Sequence, residues 1–355
     1  MQNGGDLYHT AIKTILNILP RTDCPWIVEN DGLRSFNDKN PKLWRQLWEP
    51  QVPRRISKLS GSSFKHELAA RMGNHGLVGL DLAYNCGNQL IAIGLIPGVF
   101  IEDILFHTID LDTIKAIFGE DGQNGFIKAC KVMNVGIEAG RIAEYQGFPE
   151  GFYIVSIQMT GVSEDRLIAG RSAEVKKGDV LIAISSSGLH CHGYNTIKEF
   201  LDKRLITLDD KIPDSQETAL EYLLRPTAFY DGALDVFLSA VTPPRSWNPA
   251  EWRSGVACIK HGGVINNLTS VIPEGLEAVI SLKSWEIPPF YSLLHLEPKD
   301  ILLLFNGGIG YIWITRPYCK DAVLTELRHR FKGSGLNIWE LGYVREKEKN
   351  KIVLD

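Results

Sequence analysis

The run in this chain most suited to chemistry is Gly178-Asp179-Val180-Leu181-Ile182-Ala183-Ile184-Ser185-Ser186-Ser187-Gly188-Leu189-His190-Cys191-His192-Gly193-Tyr194-Asn195. Its pattern predicts a strand over 179–185 that ends in hydroxyl residues. Gly-Leu-His follows, then a further glycine, then a short helix over 195–204. Small residues let backbone N–H groups converge, and a helix N-terminus favours an anion. His190 and His192 add two side chains that titrate near neutral pH. Spacing alone leaves two readings open: an anion-binding turn, or a tight strand-to-helix turn carrying two surface histidines.

The elements around that turn mix strands with long helices. A helix is expected over 7–20, ended by Pro20, then loops with one short strand over 21–60. Residues 66–74 look helical, 76–94 form a buried helix, and 98–105 a strand. Phe126, Ala129, Val132, Met133, Ile137 and Ile142 recur at helical spacing, so 122–146 reads as one amphipathic helix. Strands follow at 152–160, 277–282, 300–305, 309–315 and 338–344, with a helix at 319–331. The fold class is α+β, with a boundary near 170 that divides the chain into 1–170 and 171–355.

Composition bounds the function. The chain has 355 residues, 44% hydrophobic and 23% charged, enough for a large core. A formal net charge of −4 gives no global field that would attract nucleic acid or an anionic membrane, so neither is an expected partner. No apolar run is long enough to span a bilayer, and the opening residues lack the pattern of a secretory leader. Cys24, Cys86, Cys130, Cys191, Cys258 and Cys319 are scattered without a C-x-x-C pair, which reads as reduced thiols in a cytoplasmic compartment.

Several blocks together resemble the aminoimidazole ribonucleotide (AIR) synthase family, from about residue 5 to about residue 345. That family carries Gly-Asp-Val-Leu-Ile-Gly-Leu-x-Ser-Ser-Gly-Leu-His-Ser-Asn-Gly-Tyr-Ser; this chain keeps Ser186, Ser187, Gly188, His190 and Gly193 and has Cys191-His192 for Ser-Asn. His261-Gly262-Gly263-Val264-Ile265-Asn266-Asn267 is similar to Gly-Gly-Gly-Leu-x-Glu-Asn, and Phe305-Asn306-Gly307-Gly308-Ile309-Gly310 to Phe-Asn-Met-Gly-Ile-Gly. Pro273–Ile280 and Ser284–Phe290 match almost letter for letter. The N-terminal segment departs from the pattern. Asp-Gly-Val-Gly-Thr-Lys has become Ser60-Gly61-Ser62-Ser63-Phe64-Lys65. His-Asp-Thr-x-Gly-x-Asp has become His75-Gly76-Leu77-Val78-Gly79-Leu80-Asp81, and Asn-Asp has become Asn88-Gln89. The Gly-Gly-Glu-Thr-Ala-Glu-Met loop is replaced by Ala143–Gly151.

The resemblance implies an AIR-synthase-like fold, two α/β domains whose N-terminal sheet pairs with its copy in a homodimer to form a barrel. It implies an ATP-dependent cyclo-ligase that closes the imidazole ring of formylglycinamidine ribonucleotide, or a relative acting on a similar phosphorylated small molecule. ATP and Mg²⁺ would be the cofactors of an active enzyme. Lys65 would contact phosphate and act with His190 in catalysis; Lys65, Asp81 and Asn88 would hold the nucleotide, and Asp81 the metal. Ser186, Ser187, Gly188, His190, Gly193 and Asn306 would cradle the substrate, with Gly262 and Gly263 on a phosphate. Three acidic positions of the family are neutral here, and Mg²⁺ and triphosphate need carboxylates and cations to balance charge. Asp81, Glu102, Asp103 and Lys65 could form a rearranged site, Glu102 and Asp103 being otherwise surface residues, while Glu144 or Glu150 could stand in for the lost loop. The alternative function is a catalytically degenerate homologue, a structural, regulatory or ligand-binding subunit. The hydrogenase-maturation, selenophosphate and thiamine monophosphate kinase relatives fit less well, for want of their cysteines or aspartates.

Overall fold

The computed structural model describes residues 27–30, 33–36, 54–120, 122–163, 174–241, 252–348 and 351–355. The expected helix at 7–20 lies outside them. The chain divides into two compact units, one reaching to Asp165 and one from Arg166, with Ile91–Gly94 grouped with the second.

The first unit opens with a hairpin, β1 (Ile27–Asn30) and β2 (Leu33–Phe36). A four-stranded sheet then pairs β3 (Arg54–Gly61), β6 (Tyr153–Ser163), β4 (Ile96–Phe106) and β5 (Gly136–Glu144) in that spatial order. Only β4 and β5 run parallel. Between the strands come helices α1 (Phe64–Arg71), α2 (His75–Ala92), α3 (Leu111–Phe118) and α4 (Gly125–Met133). Alternation along the strands decides which face is covered. Phe100, Ile104, Val155, Ile157 and Met159 are buried, and Phe126 of α4 meets Phe100 at 5.2 Å and Phe118 at 5.3 Å. On the other face Leu59, Gln158 and Ile101 stand in one cross-strand row, Leu59 71% exposed and Ile101 38%. Gly79 permits the close crossing of α2, since a Cβ there would press on the Ile117 carbonyl and on Phe126.

The single helix expected over 122–146 is two elements. Asn134 takes a left-handed conformation (φ 53°) that ends α4, and the chain turns directly into β5. Ile137 and Ile142 continue the helical spacing by coincidence; β5 buries both through its pairing with β4. The region 21–60 also holds more strand than expected, β1, β2 and β3 together.

The second unit is built on a six-stranded sheet in the order β12 (Ile352–Leu354), β9 (Leu276–Ile280), β11 (Ile338–Glu346), β7 (Val180–Ser185), β10 (Ile309–Thr315), β8 (Gly255–Cys258). All neighbours are antiparallel except β12 with β9. β7 and β10, at the centre, are buried along their whole length, as their continuous apolar runs require. Helices α5 (Tyr194–Asp202), α6 (Ala219–Leu223), α7 (Asp231–Val241), α8 (Gly263–Thr269), α9 (Pro298–Leu304) and α10 (Lys320–Arg330) complete it. One core cluster joins Leu181, Ala183, Ile312 and Ile314 to Val264, Leu268 and Leu302 of α8 and α9. The strand expected at 300–305 is therefore the helix α9. Pro298 at its first turn suits a helix, and the apolar run Ile301–Leu304 does not by itself separate the two forms.

Candidate functional site

In the second unit the predicted turn is held by neighbours far away in sequence. The strand β7 delivers Ser185, whose carbonyl accepts from the Tyr230 hydroxyl at 2.8 Å and whose Oγ accepts from the Asn337 N–H at 2.8 Å. The N–H of Ser186 donates to the Gly308 carbonyl at 2.8 Å. Asn306 joins the two loops. Its Nδ2 donates to the Gly188 carbonyl (2.8 Å), while its Oδ1 accepts from the Gly308 N–H (3.0 Å) and the Tyr291 hydroxyl (2.8 Å).

His190 is not a surface residue. It is buried, with φ 61°, a region costly for a side chain with a Cβ. Its Nε2 accepts from the Ser187 N–H at 3.3 Å, and its ring lies 6.0 Å from that of Tyr230. His192 is half-buried. Gly193 precedes α5 at φ 82°, where a Cβ would strike the Phe305 ring. Phe305 also touches the second glycine loop: a Cβ on Gly263 would meet the carbonyls of Leu302 and Phe305. Gly262 and Gly263 both have positive φ, and Asn267 fixes their loop by donating to the carbonyls of Lys260, His261 and Gly263. Thus Gly188 meets Asn306, Gly193 and Gly263 meet Phe305, and Ser186, Ser187, His190 and Gly262 lie in the same two loops. The Ser186 Oγ is buried there with no hydrogen-bond partner, a costly state for a hydroxyl.

Sequence reasoning missed two groups at this turn. Arg225 donates to the Ser187 carbonyl at 3.3 Å and grips Glu217 with two bonds of 2.7 and 2.6 Å. It lies over Tyr222, which stacks on Phe290 at 4.4 Å. Tyr230 is the other. Neither has a local motif, and only the fold brings them to the turn.

In the first unit the predicted nucleotide segment is closed on itself. Lys65 and Asp81 are both fully buried and form an ion pair. Asn88 is buried on the same helix as Asp81, and Asn85 donates to the Ser60 Oγ at 2.8 Å. The backbone donors of Ser62 and Ser63, before α1, are taken by the Val155 carbonyl (2.8 Å) and His66 Nδ1 (2.9 Å), and within α1 the His66 N–H is taken by the Ser63 carbonyl (2.9 Å). Burial pushes His66 down to about 4, against the opposing pull of Asp81. Asp103 is a surface residue, bound to Arg141 at 2.9 and 2.8 Å. Glu102 is not: it is buried, its Oε1 accepts weakly from the Gly140 N–H (3.3 Å), its Oε2 has no partner, and burial raises it to about 8. Glu144 accepts from the Ile109 N–H at 2.8 Å, and Glu150 is exposed. These residues do not fit a magnesium triphosphate. The one family carboxylate retained already carries an ammonium, and the N–H groups of Ser62, Ser63 and His66 are bonded within the chain.

Glu102 and His66 set opposite pH limits on this unit. Glu102 is raised above its unfolded value, so its contribution is full below the ordinary carboxylate range and lost as pH rises through about 8. His66 is lowered, so its contribution is full above its ordinary value and lost as pH falls through about 4. Glu102→Gln should flatten the alkaline limb of a thermal midpoint measured from about pH 5 to about pH 9. Parallel alkaline losses in variant and parent would remove Glu102 as the cause.

Residues 250–355 match the family described as AIR synthase related protein, C-terminal domain. Over 89% of its length the chain is 31% identical to the phosphoribosylformylglycinamidine cyclo-ligase of Caldanaerobacter subterraneus subsp. tengcongensis, covering 86% of that protein. Among solved structures, the fold is similar to thiamine-monophosphate kinase from Stenotrophomonas maltophilia (TM-score 0.64, 13% identity, 98% of this chain and 95% of that one). It is also similar to the hydrogenase maturation protein HypE of E. coli (TM-score 0.60, 14% identity, 98% and 92%). Those two likenesses concern the fold, which is AIR-synthase-like. Among the described residues no helix is long and apolar enough to cross a membrane. By its identity to that relative over most of both lengths, the chain belongs to the phosphoribosylformylglycinamidine cyclo-ligase, or AIR synthase, family.

Proposed function

We propose that this chain is a ligand-binding member of the family, which receives a phosphorylated ribosyl amide at the Ser186–Gly193 turn without conventional Mg-ATP ring closure. The observation that carries this is the buried, unpartnered Ser186 Oγ inside a turn whose neighbouring groups, the Ser187 N–H and the Gly188 carbonyl, are bonded. Gly262 and Gly263 supply a second small-residue loop beside it, suited to a phosphate. The neutral positions and the closed Lys65–Asp81 pair argue against triphosphate chemistry in the first unit. A second reading, an active cyclo-ligase, is favoured by the 31% identity to a relative of that name.

Titration calorimetry on the full chain separates the two. Formylglycinamidine ribonucleotide alone should bind, Mg-ATP should give no heat, and no imidazole product should form. His190→Ala should weaken ligand binding by about tenfold or more while the protein stays folded, since the turn loses an acceptor and its fixed shape. Formation of product with Mg-ATP would establish the second reading instead, and a ligand that binds the variant as tightly as the parent would remove His190 from the site.

A homodimer is part of the same proposal. The row Leu59–Gln158–Ile101 leaves two apolar side chains, Leu59 and Ile101, exposed on one sheet face, which a second copy would cover. Light scattering should give twice the chain mass, and Leu59→Glu should halve it; a monomeric parent would end this part of the reading.

A further inference from the structure

We infer that Lys65 is a tethered replacement for a divalent cation: its ammonium permanently fills the charge site that Asp81 would otherwise offer to a metal, so that the first unit is metal-independent by construction. The inference rests on the proposed loss of Mg-ATP chemistry and names how the site has been converted.

Asp81 sits on α2 with no exposed surface, and Lys65 on α1 has none either. An isolated carboxylate in such a place is strongly disfavoured, so a positive partner is a condition for burying it. The nearby groups are neutral or poor ligands for a hard cation. Asn85 and Asn88, further along α2, are amides. His66 lies with a ring nitrogen within 4.8 Å of an Asp81 oxygen, and imidazole is a softer ligand than Mg²⁺ prefers. A Mg²⁺ ion brought to Asp81 would meet one carboxylate and a fixed ammonium beside it. Like charges at such range, away from water, repel strongly. The metal and the ammonium are therefore mutually exclusive. The backbone agrees, since Ser62 and Ser63 direct their N–H groups to Val155 and His66 rather than outward. The ion pair also ties the start of α1 to the middle of α2 within the same core, which a diffusible ion would do only when bound.

The test uses Mn²⁺ as the probe, on the full chain without any other ligand, so it is independent of whether the second unit binds a phosphorylated molecule. The parent protein should leave the electron paramagnetic resonance signal of millimolar Mn²⁺ undiminished, and its thermal midpoint should not move when Mg²⁺ or Mn²⁺ is added. Lys65→Ala should melt at lower temperature and recover part of the loss with Mn²⁺. Its Mn²⁺ affinity should exceed the parent's by about tenfold or more, in the range that one ligand-shell group commonly controls. Lys65→Ala combined with Asp81→Asn should show no such recovery. If Lys65→Ala does not fold, the neutral pair Lys65→Met with Asp81→Asn decides: it should melt above Asp81→Asn alone, because an ion pair replaced whole leaves no stranded charge. Manganese binding by the parent that Asp81→Asn abolishes would overturn the inference. So would a folded Lys65→Ala protein that gains nothing, or a double variant no more stable than the single one.

Discussion

Asp179→Ala should destabilise the second unit by about 3–5 kcal/mol, the range for removing one partner of a buried ion pair. Asp179 has no exposed surface at the start of β7. One carboxylate oxygen receives the Arg316 guanidinium, the Ser254 hydroxyl at 2.7 Å and the Lys176 N–H at 2.9 Å. Arg316, itself buried, also donates to the Glu174 carbonyl at 2.7 Å. Alanine would leave that guanidinium in a dry place with its main partner gone. The Asp179 backbone carbonyl accepts from the Val344 N–H of β11 at 2.8 Å, and β7, which begins at the next residue, leads directly to the Ser185–His190 turn. Urea unfolding read by tryptophan fluorescence measures the loss. Adding Arg316→Met should return part of it; a loss below about 1 kcal/mol for the single variant would mean that water reaches the arginine.

Gly310→Ala should also destabilise the second unit, by less, and should reach the candidate site. Gly310 lies in β10 opposite the turn, and a Cβ there would overlap the Tyr230 hydroxyl and press within 2.8 Å of His190 Cε1. Neither neighbour moves easily: Tyr230 is buried and bonded to Ser185, and His190 already holds a constrained backbone. Overpacking a site of this kind costs on the order of 1–3 kcal/mol. Binding at the turn should fall as well, because the displaced ring no longer accepts from Ser187. Tyr230→Phe in the same background removes the overlapping oxygen and should recover part of the thermal midpoint. Equal stability of Gly310→Ala and parent would show that the tyrosine has room to shift.

Much of the fold follows from local pattern. The continuous apolar runs of β7 and β10, the alternation of β6 and the buried α2 are visible in the residues themselves. Where the pattern failed, two forms satisfied it equally: Ile137 and Ile142 suit a helix face or a strand face, and only the left-handed Asn134 and the pairing with β4 decide. The apolar run of α9 was ambiguous in the same way. The site was partly legible because a glycine-rich turn has a local signature. Its supports were not: Asn306 reaches Gly188 across 118 positions, and Arg225 reaches Ser187 across 38. The meeting of Lys65 with Asp81 is likewise a product of how α1 and α2 pack, so the sequence suggests two ligands where the fold has one closed pair.

The amide of Asn306 has a wider consequence. One side chain satisfies the Gly188 carbonyl, the Gly308 N–H and the Tyr291 hydroxyl at once, so three segments share a single hinge-free pin. A molecule bound at the proposed site would meet a mould that is already set, with few rotamers left to freeze and small backbone adjustment on docking. Among chemically similar guests, selection would then show in how slowly each departs rather than in how fast it arrives.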